Sequence, residues 1–474
     1  MPSNMTLTKT IARNTLWQII GKGLGTVLGI ITIGLLTRYL GKEGFGYYTT
    51  ALAFMQFFGV LVDMGLSLVA LREISAEPAK EDFIISNVFT LRFFSALLFL
   101  GGGALLIFAF PYPSVVKWSA VIVSFSFFFQ SLVQILTTAF QKNLKMGQVA
   151  VAEVIGRVGF LVVILLFIFY QGNLPALMLG NVINTLIYFL ILWFLIKKYV
   201  LLKWQFDFYY WKAVIKKTWP IALGIAFNLV YFRADTIILS LYKSAADVGI
   251  YGAPYKILEI ITTFPHMFMG LVMPILTASW LSRNLEKFKA DLQKTFDFFM
   301  IIIIPMTLGA IPLSGKLMAF IAGQEFLASG NILPSLMLAT GLIFIGTVFT
   351  YTLVILDKQR AMLKYFFSAA VLSLVGYFIF IPTYSYYGAA WVTVVIEGFI
   401  TLSAMILAYK YSKYRLSLKI SIKSLLSSLI MILILYSLSS LNIIFLLIIA
   451  VLVYGLIMIL IKGLDRKLLS NIIK

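Results

Sequence analysis

Eleven charged residues interrupt runs of apolar sequence, as Arg233 and Asp235 do in the stretch NLVYFRADTIILSLY at 228–242. An ionisable side chain in apolar surroundings costs about 2.5 to 3.5 kcal/mol on insertion scales, so it needs a partner or a water-filled cavity. The other nine are Lys22, Arg38, Asp63, Arg92, Glu153, Arg157, Lys256, Glu259 and Glu397. Six of the eleven are cationic, which favours an anionic ligand over a cationic one.

Two pairs among these residues are spaced to neutralise each other on a helix. Glu153 precedes Arg157 by four residues, so the two share one helical face. Lys256 precedes Glu259 by three residues, and the same reasoning applies. The two carboxylates are therefore candidates for structural ion pairs, although their cations are also available to a ligand.

Arg233 and Asp235 cannot neutralise each other in this way, because residues two apart point to different faces of a helix. Arg233 therefore needs a partner from elsewhere in the molecule. That partner is either an acid on another helix or an anionic group in a water-filled cavity, and the sequence leaves both alternatives open. A guanidinium suits phosphate because it stays protonated and presents several donors in a fork.

Lys22 lies in the glycine-rich stretch GKGLG at 21–25. Glycine lets a backbone or a ligand approach a helix closely. In membrane helices, small residues also serve as packing positions. The sequence favours a cavity-facing Lys22 and leaves simple packing as the alternative for its glycines.

The elements that must position these charges are membrane-spanning helices. The chain of 474 residues is 61% hydrophobic and 12% charged, against about 45 to 50% and about 25% in soluble domains. About 20 apolar residues suffice for a helix to cross the hydrocarbon core, and the sequence predicts fourteen such spans. Their ranges are 14–40, 45–71, 83–110, 115–140, 147–170, 174–196, 219–241, 250–281, 294–313, 331–356, 361–383, 388–409, 422–440 and 442–461. The chain has no cysteine and one histidine, so neither disulfides, a Cys/His metal cluster nor a cofactor is expected.

The basic residues indicate how these spans are oriented. When every second connection is assigned to the cytoplasm, the opposite connections hold only Lys42, Lys117, Lys243 and Lys316. This bias is the positive-inside rule, and it predicts an even number of spans with both termini in the cytoplasm. The net charge of +20 therefore reflects topology, and nucleic acid is not an expected partner.

The chain also contains an internal repeat. A shift of 203 residues aligns 35–48 with 238–251 without a gap and pairs Gly46 with Gly249. The same shift carries the first span onto the seventh, and because six spans lie between them the two copies have the same orientation. Parallel repeats of this kind imply two six-helix lobes with a substrate path between them.

The predicted organisation is an all-α polytopic membrane protein with two lobes and two additional C-terminal spans. The N-lobe is 1–196, a linker is 197–218, the C-lobe is 219–410, and the last two spans with a cytoplasmic tail occupy 411–474. The linker mixes Lys with Trp and Tyr, as segments at a membrane interface do. We interpret it as lying on the inner leaflet, where it contacts anionic lipids.

Two stretches carry a family resemblance: NTLWQIIGKGLGTVLGIITIGLLTRYLGKEGFGYY in the first two spans, and DMGLSLVALREIS after it. They resemble the opening of the polysaccharide-export and O-antigen flippases. These belong to the multidrug, oligosaccharidyl-lipid and polysaccharide (MOP) exporter superfamily, together with lipid II flippases and multidrug extruders. The resemblance implies a V-shaped transporter in the cell membrane. It would move an undecaprenyl-diphosphate-linked oligosaccharide from the cytoplasmic to the outer leaflet by alternating access.

Such a flippase needs cations for the diphosphate, a hydrophilic slot for sugar, and carboxylates that couple transport to an H⁺ or Na⁺ gradient. The candidates for the diphosphate and sugar cavity are Lys22, Arg92, Arg157, Arg233 and Lys256. The ion-coupling candidates are Asp63, Asp235 and Glu397, and the structural ion-pair candidates are Glu153 and Glu259. A monomer is expected, with polysaccharide polymerase machinery as a partner.

Two related transporters and one class of enzyme compete with this interpretation. A lipid II flippase shares the cationic cavity and the fourteen spans. A MATE-like multidrug extruder shares the architecture, but its cationic ligands favour exposed carboxylates and aromatic side chains. A membrane-embedded glycosyltransferase, polymerase or ligase needs catalytic groups in an external loop, and the longest external connection, 314–330, has only Lys316 and Glu325 as charged residues. We therefore expect a transporter and not an enzyme.

Overall fold

The computed structural model describes residues 4–463, apart from the side chains of residues 4–16, 19, 220 and 221. Thirteen α-helices and four short 3-10 segments make up the secondary structure of this range, and no strand occurs in it. The helices are α1 (Asn4–Asp63), α2 (Leu66–Ala76), α3 (Glu81–Leu106), α4 (Ser114–Lys142), α5 (Met146–Phe169), α6 (Leu174–Ile196), α7 (Phe208–Tyr242), α8 (Ala245–Leu281), α9 (Leu285–Ala322), α10 (Leu333–Ile355), α11 (Leu363–Ser412), α12 (Lys419–Ser437) and α13 (Ile443–Leu460). The all-α prediction is confirmed. The two chain ends, predicted to be cytoplasmic, extend outside the described residues.

Two of these helices contain a break and account for two crossings each. Gly41 in α1 has φ 64° and ψ −179°, and Ser385 in α11 has φ 51° and ψ −135°. Twelve helical stretches among the described residues are long and apolar enough to cross a membrane, and the two with breaks, Ile20–Ala76 and Gln359–Ser412, are 57 and 54 residues long. Since about 20 residues suffice for one crossing, these two provide two crossings each. The total is the predicted fourteen.

The chain forms two compact units, Met1–Gly249 and Ile250–Lys474. In the first unit, α4 packs against α3 and α6, α1 packs along α4 and α5, and α7 packs along α1. Buried aliphatic and aromatic side chains around Leu136 and Phe140 form its core. The lobe boundaries inferred from the repeat stay a prediction.

The first unit contains a close crossing between residues that the repeat makes equivalent. A Cβ atom on Gly46 would lie 1.7 Å from the carbonyl oxygen of Ala245, and one on Gly249 would lie 1.9 Å from that of Lys42. Each would also lie 3.1 Å from the backbone nitrogen of the other glycine. Adding 203 to 42 and 46 gives 245 and 249, so the two contacts are reciprocal, as a two-fold relation between the segments requires.

The predicted linker includes a non-helical segment, residues 200–207, that lies along α3. The backbone N–H of Lys203 donates to Ser86 Oγ and that of Gln205 donates to Thr90 Oγ1, both at 3.2 Å. Polar side chains one turn apart on α3 therefore satisfy alternate N–H groups of the linker, as a neighbouring strand would. α7 begins directly after this segment.

In the second unit, α10 packs against α9 and α11, and the last two helices pack against α9. Leu313 of α9, Met431 of α12 and Leu446 of α13 belong to one buried apolar cluster. The two helices outside the repeat are therefore part of the core of the second unit.

Candidate functional site

The second crossing is interrupted at the sequence DMG. α1 ends at Asp63 and α2 begins at Leu66, while Met64 and Gly65 between them have φ values of 41° and 79°. Glycine adopts this left-handed region without strain, whereas another residue does so only where its surroundings hold it. A broken membrane helix leaves backbone groups without their helical partners, and protein or water must satisfy them. The break therefore needs polar partners, and Arg92 supplies them.

Arg92, on α3, is fully buried and bonds to both the main chain and the side chains at the break. Its Nη1 donates to the Val62 carbonyl oxygen at 3.0 Å, and its Nη2 lies 2.6 Å from Asp63 Oδ1. Its Nε donates to the Ser131 carbonyl oxygen at 3.2 Å, and its Nη2 also donates to Gln134 Oε1 at 2.5 Å. All three guanidinium nitrogen atoms thus bond to protein. A cation at the C-terminal end of a helix is also favourable.

A polar cavity of about 360 Å³ lies beside the break. Its polar lining consists of Asp63, Ser67, Gln130, Gln134, Thr137, Thr138, Gln141 and Tyr188. Arg92 bonds to three of these residues, Asp63, Ser67 and Gln134. Carboxylate, amide and hydroxyl groups offer both donors and acceptors, which match the hydroxyl groups of a sugar. Arg92 thus holds the wall of the cavity, and the residues it holds face the interior.

A second set of charges joins α1 to α5. Lys22 Nζ lies 3.1 Å from Glu153 Oε2, and Arg157 Nη2 lies 2.9 Å from Glu153 Oε1. Arg157 Nη1 also donates to the Gly25 carbonyl oxygen at 3.0 Å. Two cations share one carboxylate, and the side chain of Lys22 is 43% exposed. This cation cluster of Lys22, Glu153 and Arg157 therefore keeps an accessible positive charge.

The glycines around Lys22 explain how α1 approaches α5. A Cβ atom on Gly21 would lie 2.8 Å from a side chain of α5, and one on Gly25 would lie 3.1 Å from Arg157 Nε. Nothing lies within 4 Å of the Cβ position of Gly23. Packing therefore accounts for Gly21 and Gly25, and this packing brings Lys22 to α5.

The cation cluster and the polar cavity meet at Tyr188 on α6. Tyr188 lines the cavity and packs against α5, the helix that carries Glu153 and Arg157. Gly156 lies between these two residues on α5, and a Cβ atom there would lie 3.4 Å from Tyr188 Cβ. A ligand with a charged group and a neutral polar group would therefore find adjoining sites for both.

Arg233 and Asp235 lie on α7 in the first unit, and both are buried. The Arg233 guanidinium lies 6.0 Å from the centre of the Phe232 ring. Asp235 Oδ1 accepts a hydrogen bond from the backbone N–H of Thr236 at 2.5 Å and one from its hydroxyl at 3.1 Å. Their assignments to substrate binding and ion coupling stay predictions.

Lys256, Glu259 and Glu397 lie in the second unit. Lys256 Nζ is 2.8 Å from Glu259 Oε2, at the i,i+3 spacing of the sequence. Glu397 is buried on α11. Among the side chains that the structure describes, no three of His, Asp or Glu converge as metal ligands would. The roles of these residues also stay predictions.

Fourteen crossings, a broken span and charges held inside the first unit define a polytopic membrane protein with a charged interior. Residues 11–280, more than half of the chain, match the family model of polysaccharide biosynthesis proteins. The chain belongs to this family. A protein of Shigella flexneri assigned as an O-antigen transporter is 24% identical over 351 residues, covering 69% of this chain and 81% of the relative.

Solved structures show the same fold. The lipid II flippase MurJ in an inward closed conformation has a TM-score of 0.77 at 18% identity and covers 95% of this chain and 100% of its own. A MOP superfamily transporter from Pyrococcus furiosus has a TM-score of 0.59 at 13% identity. The match covers 85% of this chain and 95% of that transporter. The MATE transporter VcmN of Vibrio cholerae has a TM-score of 0.58 at 11% identity. The match covers 88% of this chain and 99% of VcmN. The predicted fold class and family are confirmed.

Proposed function

We propose that the protein is a flippase for an undecaprenyl-diphosphate-linked oligosaccharide, the repeat unit of O-antigen or of another polysaccharide. It would move this lipid from the cytoplasmic to the outer leaflet of the inner membrane by alternating access. The observation that carries the proposal is the cation cluster, which adjoins a polar cavity inside a membrane-spanning unit. The family and the similarity to an O-antigen transporter support the same function.

The cation cluster is suited to bind a diphosphate and to release it. Glu153 pairs with both Lys22 and Arg157. When a diphosphate enters, the two cations would exchange the carboxylate oxygens of Glu153 for phosphate oxygens. Ammonium and guanidinium groups both form strong charge-assisted hydrogen bonds to phosphate oxygens. The return of Glu153 to the two cations would then favour release. Meanwhile the polar cavity would receive sugar and the polyprenyl chain would remain in lipid.

In the proposed mechanism Asp63 couples this site to an H⁺ or Na⁺ gradient. Its carboxylate pairs with Arg92 and accepts a hydrogen bond from Ser67 Oγ at 3.0 Å, across the break between α1 and α2. Protonation of Asp63 would remove the charge that Arg92 neutralises and would weaken this link. The two halves of the second crossing would then move more freely. Asp235 and Glu397 are the other coupling candidates.

A lipid II flippase is the second candidate function, because the lipid II flippase structure has a TM-score of 0.77 to this chain. Both functions use a diphosphate and differ in the sugar. A MATE-like extruder is less compatible with the site, because Asp63 and Glu153 are already paired with cations. Either flippase would work as a monomer. If the protein is the polysaccharide flippase, polysaccharide polymerase machinery would use the repeat units that it translocates.

Translocation by purified protein in liposomes tests this function. Undecaprenyl-diphosphate-linked glycans of defined sequence and lipid II are supplied to one leaflet under an imposed H⁺ or Na⁺ gradient. We expect the polysaccharide repeat units to appear in the other leaflet, and faster under one of the two gradients. Transport of lipid II alone would favour the second candidate. Growth of the sugar chain without translocation would indicate an enzyme.

A further inference from the structure

A second cavity, of about 870 Å³, lies in the first unit against another face of α2. Its apolar wall is formed by Leu68, Val69, Phe83 and Ile84, and its polar rim by Arg72, Glu73, Glu77, Lys80, Tyr210 and Lys217. An apolar wall beside a charged rim suits a molecule with a lipid chain at one end and a charged head group at the other. We call it the α2–α7 cavity, after the helices that flank it.

The rim of the α2–α7 cavity carries three cations and two carboxylates, a net charge of +1 (3 − 2). Lys80 Nζ lies 2.7 Å from Glu77 Oε2. Lys217 Nζ lies 2.6 Å from Glu73 Oε1. Arg72 is exposed and has no ion pair among the described residues. The excess positive charge of the rim therefore resides on Arg72.

Glu73 is held in place at this rim. Tyr210 Oη donates to Glu73 Oε2 at 2.5 Å, while Lys217 donates to the other oxygen. Burial and the hydrogen bond to Glu73 raise the pKa of Tyr210, so the phenol keeps its proton and continues to donate. Both oxygens of Glu73 are thus occupied, and this carboxylate does not compete with a ligand for Arg72.

Neighbouring side chains place the α2–α7 cavity at the membrane surface. The adjacent linker and α7 expose four aromatic side chains, Trp204, Phe206, Phe208 and Trp219. Aromatic side chains concentrate where a membrane meets water. The bias of basic residues assigns this end of the helices to the cytoplasm. Leu68, which is 60% exposed, lines both this cavity and the polar cavity beside the break. The α2–α7 cavity therefore adjoins the proposed transport site.

We propose that the α2–α7 cavity binds the phosphate group of a lipid in the cytoplasmic leaflet, with Arg72 and Lys80 as its ligands. The phosphate belongs either to an anionic phospholipid or to a polyprenyl diphosphate, which offer the same oxygen atoms. Glu77 competes with this phosphate for Lys80. The site is separate from the cation cluster, and phospholipid alone would fill it. The proposal therefore does not require the transport activity.

Lipid binding to the purified full-length protein tests this site. The protein is placed in phosphatidylcholine nanodiscs, and the binding of phosphatidylglycerol and of undecaprenyl diphosphate is measured by native mass spectrometry. Arg72→Gln and Lys80→Gln should each weaken binding at least about fivefold, because each removes a charge-assisted hydrogen bond to the phosphate. Glu77→Gln should strengthen it, because a competitor for Lys80 is removed. Lys216→Gln is the matched control, since Lys216 is exposed and does not line the cavity; at physiological salt, where such exposed charges are screened, it should change binding less than about twofold.

The two lipids identify the source of the phosphate. Weaker binding of phosphatidylglycerol alone assigns the site to a resident phospholipid, and weaker binding of undecaprenyl diphosphate alone assigns it to the transported lipid. Unchanged binding of both in Arg72→Gln and Lys80→Gln overturns the proposal, as does an equal loss in Lys216→Gln, which would indicate diffuse surface charge. Melting temperatures show whether each variant is folded. If Arg72→Gln does not fold, the lipid binding of Lys80→Gln, which changes an exposed side chain, tests the proposal. Because no transport is measured, a failed translocation assay leaves this result unaffected.

Discussion

The Arg92 guanidinium bonds to groups on both sides of the break in the second crossing. The Val62 carbonyl and Asp63 precede the break, and Ser67 follows it. Loss of one member of a buried ion pair costs about 3 to 5 kcal/mol, because the other charge is left uncompensated. Asp63 is 27% exposed, so water would recover part of that cost. In the proposed function Arg92 would therefore act as a positioning residue, through the cavity side chains that it holds.

We expect Arg92→Ala to lower the free energy of unfolding by about 2 to 4 kcal/mol, slightly less than for a fully buried pair. Thermal melting of the detergent-purified protein measures this loss. Arg92→Gln combined with Asp63→Asn should recover part of it, because no charge is then left alone. Arg415→Ala, which removes an exposed guanidinium, serves as the control and should melt like the wild type. A stable but inactive Arg92→Ala would instead mean that Arg92 contacts the substrate.

In the proposed function Glu153 would control how strongly the cation cluster holds an anion, because it pairs with both cations. Glu153→Gln removes the charge and nearly keeps the shape. We expect this variant to bind the diphosphate head group about three- to fivefold more tightly, since partly exposed pairs contribute up to about 1 kcal/mol. Slower release should then reduce the rate of translocation.

Equilibrium binding and single-turnover translocation of Glu153→Gln separate these two effects. Glu153→Asp keeps the charge, so it should resemble the wild type in both measurements. Weaker binding by Glu153→Gln would contradict the exchange of carboxylate for phosphate. It would mean that the carboxylate positions the cations and does not compete for them.

Two helical segments approach each other closely where glycine occupies positions that the repeat makes equivalent. A Cβ atom on Gly46 or Gly249 would overlap a carbonyl oxygen of the opposite segment. Gly46→Ala and Gly249→Ala should therefore each lower stability by about 1 to 3 kcal/mol, the range for overpacked sites. Because the contacts are reciprocal, the two losses should be similar when melting is measured.

Gly23→Ala is the matched control for this pair. It adds the same methyl group to a membrane helix at a position with nothing within 4 Å, so it should not lower stability. A large loss in only one of Gly46→Ala and Gly249→Ala would show that the crossing is not symmetric in energy. A loss in Gly23→Ala as well would point to a general effect of replacing glycine in this chain.

Element positions could be predicted because a helix in lipid must satisfy its own backbone over an apolar run of fixed length. The predicted span 174–196 and α6, Leu174–Ile196, have the same limits. The break inside the predicted span 45–71 was not predicted, because hydropathy averages over it. Gly65, directly after an acid and a methionine, was the available signal. The contacts of residues 200–207 with α3 depend on tertiary structure and leave no local pattern.

The same distinction holds for the candidate site. Charges inside apolar runs are costly, so Glu153 and Arg157 could be found and paired by spacing alone. Lys22, the third member of their cluster, is 131 residues from Glu153, and no local rule connects them. Gln130 and Gln134, which line the polar cavity, are uncharged. The free-energy cost of placing such an amide in a span is smaller than that of a charge, so the sequence did not identify them as site residues.

In the molecule as a whole, apolar and charged side chains are distributed as lipid requires. Leu98 and Leu105 on α3 are 70% and 75% exposed, which in water would leave large apolar areas solvated. On the same helix Arg92 is fully buried within protein. Such a surface is stable only with lipid around it. By the positive-inside rule, the basic residues at the ends of the helices would then set the direction in which the molecule is inserted.

The orientation can be tested with single cysteines, because the chain has none of its own. The positive-inside rule predicts that Lys212→Cys and Arg415→Cys face the cytoplasm and Ser114→Cys faces outward. A membrane-impermeant maleimide applied to intact cells should label Ser114→Cys alone, and all three once the membrane is opened. These exposed positions avoid residues 200–207, where an inserted tag would break the hydrogen bonds to α3.

Fourteen crossings fix the relation between the three sites, since Ser114 follows an odd number of crossings and the other two an even number. Labelling of Lys212→Cys from outside would therefore contradict either the number of crossings before it or the inward bias of the basic residues. Simultaneous labelling of Ser114→Cys would identify the crossing number as the error, whereas its protection would show that the whole molecule is inverted.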